Sequence, residues 1–295
     1  LGHGTGRVVR RKTVKRRKLR ILIVGAGDVA RRLVVGVNSR PGANGAIRWL
    51  GLTRSAETGR TLREAGILPV DGDLDFRPSL RRAGALGRSA AAVLMLAPPA
   101  NDGNDDPRMR RWLAAVSTAT SPDAHRRYRM RAQRRRQVGN DLAASAVIAA
   151  RRLRHRQHAL HNVYVSTTGI YGDCAGERID ETRRARPTSA RAKRRVAAEA
   201  RVRAARSQRF AILRAPGIYA ADRLPVERLR AGTPALAAED DVYSNHIHAD
   251  DLARAIWLTI FRGRSRRAVN VVDDSELKMG QYFDQVAEAV AMPRP

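Results

Sequence analysis

Leu19-Arg-Ile-Leu-Ile-Val-Gly-Ala-Gly-Asp-Val-Ala30 is an apolar, β-branched run that stops at Gly25 and passes into a helix-compatible stretch at about Asp28. The glycine spacing is Gly-x-Gly-x-x-Ala, set between a strand pattern and a helix start. That setting is the one in which a βαβ unit binds a dinucleotide. Gly25 allows the tight turn. Gly27 has no Cβ, so a pyrophosphate can approach the backbone. The amides at the helix start, Asp28 and Val29, and the helix dipole there favour its negative charge. Ala30 is small enough for close helix–strand packing. A tight glycine turn without a ligand would explain the glycines alone; the flanking strand and helix patterns argue for the cofactor.

Strand-like and helix-like segments alternate onward from Leu19, which predicts a doubly wound α/β fold with a parallel sheet covered by helices. Further strands are expected at Ile47–Thr53, Ile67–Val70, Ala91–Leu96, Val163–Ser166 and Phe210–Arg214. Each ends in small, polar or turn residues, on the side where ligands bind in such sheets. Residues 1–18 hold no acid and read as a basic, disordered tail. Between 101 and 162 the pattern degrades, and arginine clusters interrupt Ala-rich pieces. One helix suffices to link two parallel strands, so a helix plus a mobile basic insertion is expected there. The domain reading is therefore a nucleotide-binding unit over 19–216 and a smaller substrate lobe over 217–295, with 246–252 returning to the first unit.

The chain of 295 residues is long enough to bury a large core. It has no apolar run of about 18 residues and no apolar segment of secretory type near its start, so no membrane span or signal is expected. Cys174 is the one cysteine, which points to a reducing, cytoplasmic setting. The net charge is +29, and of 57 basic residues five are lysine and the rest arginine. Non-specific attraction to polyanions follows from that charge. A purposeful nucleic-acid face would cluster its charge and interleave aromatics, whereas arginine is spread throughout and aromatics make up 4%. Compositional drift toward Arg and Ala accounts for this better.

A second informative stretch is Val163-Tyr-Val-Ser-Thr-Thr-Gly-Ile-Tyr-Gly-Asp173, a buried strand running into hydroxyls and then a glycine turn. Gly72-Asp-Leu74 precedes it, and Leu213-Arg-Ala-Pro-Gly-Ile-Tyr219, Asn245-His-Ile-His-Ala-Asp-Asp251 and Val269-Asn-Val-Val-Asp273 follow it. Taken together with the glycine turn, these segments resemble the extended short-chain dehydrogenase/reductase superfamily, and within it the NAD-dependent epimerase/dehydratase branch. The resemblance runs from about residue 19 to 274, outside the Arg-rich insertion. It implies a Rossmann-like sheet with a C-terminal substrate lobe that extends past Pro295, a small-molecule substrate and a homodimer. It also implies that Thr167, flanked by Ser166 and Thr168, orients the substrate oxygen.

The family places a Tyr-x-x-x-Lys pair about 20 residues further on, with tyrosine as general acid–base and lysine lowering its pKa and holding the ribose. The corresponding helix here reads Pro187-Thr-Ser-Ala-Arg-Ala-Lys-Arg-Arg-Val-Ala-Ala-Glu199, which puts Arg191 at the tyrosine position and Arg195 at the lysine position. Arginine does not exchange a proton at neutral pH, but it can hold a ribose hydroxyl or a phosphate. Tyr171 is the candidate substitute acid.

An NAD site ends its second strand in Asp or Glu, to hold the ribose 2′-hydroxyl. Here that end reads Gly51-Leu-Thr-Arg-Ser55, where Arg54 suits a 2′-phosphate, or is one more solvated arginine. NADP is accordingly expected over NAD. Asp73 and Leu74 match the family's adenine-side contacts, and Leu96-Ala97-Pro98 would run beneath the ribose and nicotinamide. His155, His158 and His161, and His246 with His248, have spacings that could suggest a metal, but none is expected. The resulting expectation is an NAD(P)-dependent oxidoreductase acting on a sugar nucleotide or a small carbonyl compound. The alternatives are a non-catalytic NADP-binding regulator or scaffold, and a polyanion-binding protein.

Overall fold

The computed structural model describes residues 18–41, 45–117, 160–205, 208–234 and 236–294. The basic tail apart from Lys18, and the Arg-rich insertion from 118 to 159 with His155 and His158, lie outside the described residues. The first half of the chain runs β1 (Leu19–Val24), α1 (Asp28–Asn38), β2 (Ile47–Thr53), α2 (Ala56–Glu64), β3 (Leu68–Asp71), α3 (Arg81–Ser89), β4 (Ala92–Met95) and α4 (Pro107–Ser117). The second half adds β5 (Asn162–Thr167), α5 (Ala190–Ala204), β6 (Phe210–Ala215), β7 (Gly217–Tyr219), α6 (Val226–Arg230), β8 (His246–His248), α7 (Ala249–Arg262), β9 (Ala268–Asn270) and α8 (Met279–Ala289).

Seven strands form one parallel sheet in the order β3-β2-β1-β4-β5-β6-β9. This is the doubly wound α/β architecture the alternation predicts. The strand order reverses between β1 and β4, so the crevice for a ligand opens beyond their C-terminal ends.

The unbroken apolar character of β1 follows from burial on both faces. Side chains alternate along a strand. Ile21 and Ile23 therefore join Leu33, Val34 and Val37 of α1 and Leu252, Ile256 and Ile260 of α7 on one side. Leu22 and Val24 join Leu80, Met109, Trp112 and Val202 on the other. At the end of β1, Gly25 takes φ +95°, and a Cβ there would stand 2.3 Å from the Ala97 nitrogen. Only glycine fits that turn.

The return of the C-terminal segment to the nucleotide sheet is longer than residues 246–252. α7 packs on α1, and β9 pairs with β6 as the last strand of the sheet. The strands β7, β8 and β9 have three residues each, too short for their alternation to register in the sequence. A small separate core of Leu229, Phe283, Val286 and Ala287 holds α6 against α8. His248 caps α7, its Nδ1 accepting from the Asp250 amide, and His246 stacks on Tyr282 with ring centroids 3.8 Å apart. Among the described residues no helix is long and apolar enough to cross a membrane.

The two glycines of the turn should separate cleanly in stability. Gly25→Ala is expected to lower the unfolding free energy by about 2–4 kcal/mol, from strain and overlap together. At Gly27 an added Cβ meets nothing within 4 Å, so Gly27→Ala should cost about 1 kcal/mol or less. Urea titration measures both, and equal losses would contradict this packing.

Candidate functional site

At the C-terminal ends of β1, β4, β5 and β6 lies a cleft of about 240 Å³. One wall is the glycine turn and the start of α1, with Gly25, Gly27, Asp28 and Val29. Leu96 and Pro98 border it from the end of β4, and Ser166 and Thr167 from the end of β5. Arg191 and Arg195 of α5 close the far side. Gly27 is exposed, precedes the first turn of α1 and has open space where a Cβ would stand. That open face at a helix N-terminus fits the pyrophosphate of a dinucleotide.

The two hydroxyls at the end of β5 fare differently. Thr167 accepts from the Gly169 amide at 3.2 Å, which leaves its own O–H free to donate toward the cleft. Ser166 borders the cleft but is buried, and alternation points its side chain to the opposite face. Its hydroxyl lies near enough to Glu199 to help hold that carboxylate charged, with a geometry short of a hydrogen bond. Ser166 thus sits against Glu199, while Thr167 carries the freer hydroxyl.

Ser189 caps α5 through the Ala192 amide, and the helix brings Arg191 and Arg195 onto the cleft one turn apart. Arg195 is 6% exposed; its Nη1 donates to the Val165 carbonyl at 2.9 Å and the Tyr164 hydroxyl at 3.2 Å. Burial pushes the Tyr164 hydroxyl up to about 12, against the opposing pull of Arg195. Tyr164 therefore gives no proton exchange near neutral pH.

The remaining expected contacts lie outside the cleft. Arg54 is exposed at the tip of β2, makes no hydrogen bond or ion pair among the described residues, and lends its charge to Asp75. Asp73 folds its loop by accepting from the Asp75 amide at 2.8 Å, and Leu74 is buried. Ala97 contributes backbone packing against Gly25.

Two residues that the sequence did not single out help shape the site. Arg108 of α4 binds Asp75 through Nε and Nη2 and donates from Nη1 to the Pro98 carbonyl at 3.2 Å, tying the loop after β3 to the loop after β4. Arg223 lines the cleft and reaches Asp28 at 3.2 Å across 195 positions of sequence. No local pattern marks such a contact. Burial pushes Asp28 up, but the bonds and charges of Arg32 and Arg223 outweigh it and hold the carboxyl below its usual range.

Among solved structures, the chain is similar to a functionally unknown conserved protein from Silicibacter pomeroyi. That match has 22% identity and a TM-score of 0.61, and covers 94% of this chain and 80% of the other. It is also similar to dTDP-glucose 4,6-dehydratase from Bacillus anthracis in complex with NAD. Here the identity is 14% and the TM-score 0.65, over 94% and 82% of the two chains. A third is UDP-glucuronic acid 4-epimerase from Bacillus cereus in complex with UDP-glucuronic acid and NAD, at 13% identity and a TM-score of 0.63, over 93% and 84%. The chain has the fold of these epimerases and dehydratases. No protein-family model and no curated protein matches the sequence.

Within this Rossmann-type fold, Tyr171 is a correction to the sequence reading. It does not line the cleft, and its side chain is buried, 3% exposed. Its hydroxyl accepts from Arg214 Nη1 at 2.7 Å and donates to Asn270 Oδ1 at 2.8 Å, which ties β6 and β9 to the glycine turn after β5. Arg214 also grips Glu199 of α5 with two bonds, Nε at 3.1 Å and Nη2 at 2.9 Å. Burial pushes the Glu199 carboxyl up, but the bonds and charge of Arg214, with Arg203 beside it, hold it below its ordinary 4.5.

A lowered folded-state pKa gives stability that is complete above the unfolded value and lost as pH falls through the folded one. The Glu199–Arg214 contribution should therefore be full above about pH 4.5 and disappear on further acidification. Arg214→Met should cost about 3 kcal/mol at pH 7, because it leaves the buried carboxylate with the partly exposed Arg203 alone. The double variant Glu199→Met/Arg214→Met should regain most of that loss in urea titrations. A double variant no more stable than the single one would contradict this role.

Proposed function

We propose that this chain binds NADP(H) in the cleft, as an atypical member of the extended short-chain dehydrogenase/reductase superfamily with an epimerase/dehydratase-like activity. Its substrate is a small carbonyl compound or a sugar nucleotide. The observation that carries the reading is the open, exposed Gly27 at the start of α1, in one cleft with the Thr167 hydroxyl. The amides of Asp28 and Val29 hold the pyrophosphate, and Arg223 stands beside them to add a positive charge. Arg54 at the tip of β2, where no acid stands, meets the 2′-phosphate of NADP. When bound, the nicotinamide supplies hydride transfer. Thr167 donates its hydroxyl hydrogen to the substrate oxygen, and Arg195 supplies a fixed positive charge at the position of the ribose-holding lysine.

A second reading, cofactor binding without turnover, is favoured by the pair Arg191 and Arg195. Neither guanidinium releases a proton at neutral pH, and the tyrosine beside Arg195 is buried. In that case the chain acts as a regulator or scaffold that senses the nicotinamide dinucleotide.

Fluorescence titration with NADPH and NADH tests the binding. NADPH should bind about tenfold more tightly than NADH, and Arg54→Gln should remove the difference. Gly27→Val should abolish both while leaving the fold intact. Binding of neither dinucleotide overturns the proposal. Mixing the protein, loaded with NADPH or with its oxidised form, with carbonyl compounds and sugar nucleotides then separates the two readings. Product is followed by chromatography, because epimerisation and dehydration leave no net change in the nicotinamide. Product formation that is lost in Thr167→Val supports the enzyme; no product from any substrate supports the binder.

A further inference from the structure

The charged residues lining the cleft are Arg191, Arg195, Arg223 and one acid, Asp28. Asp28 is already engaged, by Arg32 at 2.9 Å and Arg223 at 3.2 Å. Arg191 and Arg195 have no ion pair among the described residues. Asp106 lends its charge to Arg195 but makes no hydrogen bond or ion pair with it, its Oδ1 accepting instead from the Met109 amide at the start of α4.

Arg195 is more than nine-tenths buried, and a guanidinium carries five N–H donors. Nη1 is used on Val165 and Tyr164, Nε is buried with no partner, and Nη2 makes no hydrogen bond to the described residues. A desolvated cation with spare donors is unfavourable unless something supplies an acceptor charge. One helical turn away, Arg191 is exposed to the same cleft and makes no hydrogen bond to the described residues.

The phosphates of a dinucleotide do not meet this need. They belong at the glycine turn after β1, and β4 lies between β1 and β5. Two strand spacings, about 10 Å, separate that turn from the end of β5 where Arg195 is anchored. We infer that Arg191 and Arg195 form an anion subsite, and that the molecule held beside Thr167 carries a carboxylate or phosphate group there. This names the substrate class for the proposed function and rests on the same cleft, but the subsite can be measured without any cofactor. The planar fork of Arg195 gives it a geometric preference for such groups.

The test is calorimetric titration of the full chain with oxalate and with inorganic phosphate, each with and without NADPH. Because the whole molecule is cationic, Arg60→Gln on the exposed face of α2 is the control for general charge. Arg191→Gln should weaken the preferred anion about tenfold or more and leave NADPH affinity within about threefold, while Arg60→Gln should change anion affinity by less than about twofold. Arg195→Lys keeps the charge but loses the fork, and should weaken the anion too. A preference for oxalate assigns a carboxylate, and a preference for phosphate assigns a phosphoryl group. Anion binding that Arg191→Gln and Arg60→Gln weaken equally, or no anion binding at all, overturns the subsite. Anion binding that needs Arg191 in a protein that ignores NADPH keeps the subsite and removes the cofactor reading.

Discussion

The Val24 carbonyl accepts from both the Leu96 and Ala97 amides, at 2.8 and 2.9 Å. Those two bonds pull the end of β4 against the end of β1 and leave no room for a side chain at Gly25. The crevice at the reversal of strand order owes its shape to that approach. With Gly25 packed tight and Gly27 open, the first strand ends in a closed backbone corner followed by an exposed helix start. A larger residue at Gly25 would push β4 away, and the cleft would lose its corner before it lost any recognition group.

The far wall follows a different logic. α5 carries Arg191 and Arg195 toward the cleft, and the same helix carries Glu199 into a buried pair with Arg214. The pair fixes α5 on β6, and the hydroxyl of Tyr171 accepts from Arg214 Nη1. The phenol of Tyr171 therefore works as mortar between strands. What the cleft retains is positive charge, a threonine hydroxyl and a dinucleotide-shaped corner.

Much of this was legible in the sequence because long, two-sided burial leaves a continuous apolar signature. β1 and β2 lie where their apolar runs end, and β3 to β6 differ from expectation by about a residue. The three-residue strands β7, β8 and β9 left no such trace, so the return of β9 to the edge of the sheet was not legible. The glycine turn and Thr167 were readable from local spacing. Arg223 and Arg108 were not, since each acts through a partner far away in the chain, Asp28 and Asp75. The surroundings of Ser166 and Tyr171 were not legible for a related reason. Proximity in sequence to a catalytic-type turn does not say on which face of a strand a hydroxyl lands, or whether a buried arginine has already claimed it.

The account is tested most directly by a crystal structure of the chain with NADPH. It predicts the pyrophosphate on the amides that follow Gly27 and the nicotinamide between Leu96 and Thr167. Arg191 and Arg195 should stand beside the ring, with no tyrosine or lysine within hydrogen-bonding distance of the substrate position. A dinucleotide bound elsewhere, or a tyrosine hydroxyl drawn in to the nicotinamide, would contradict it.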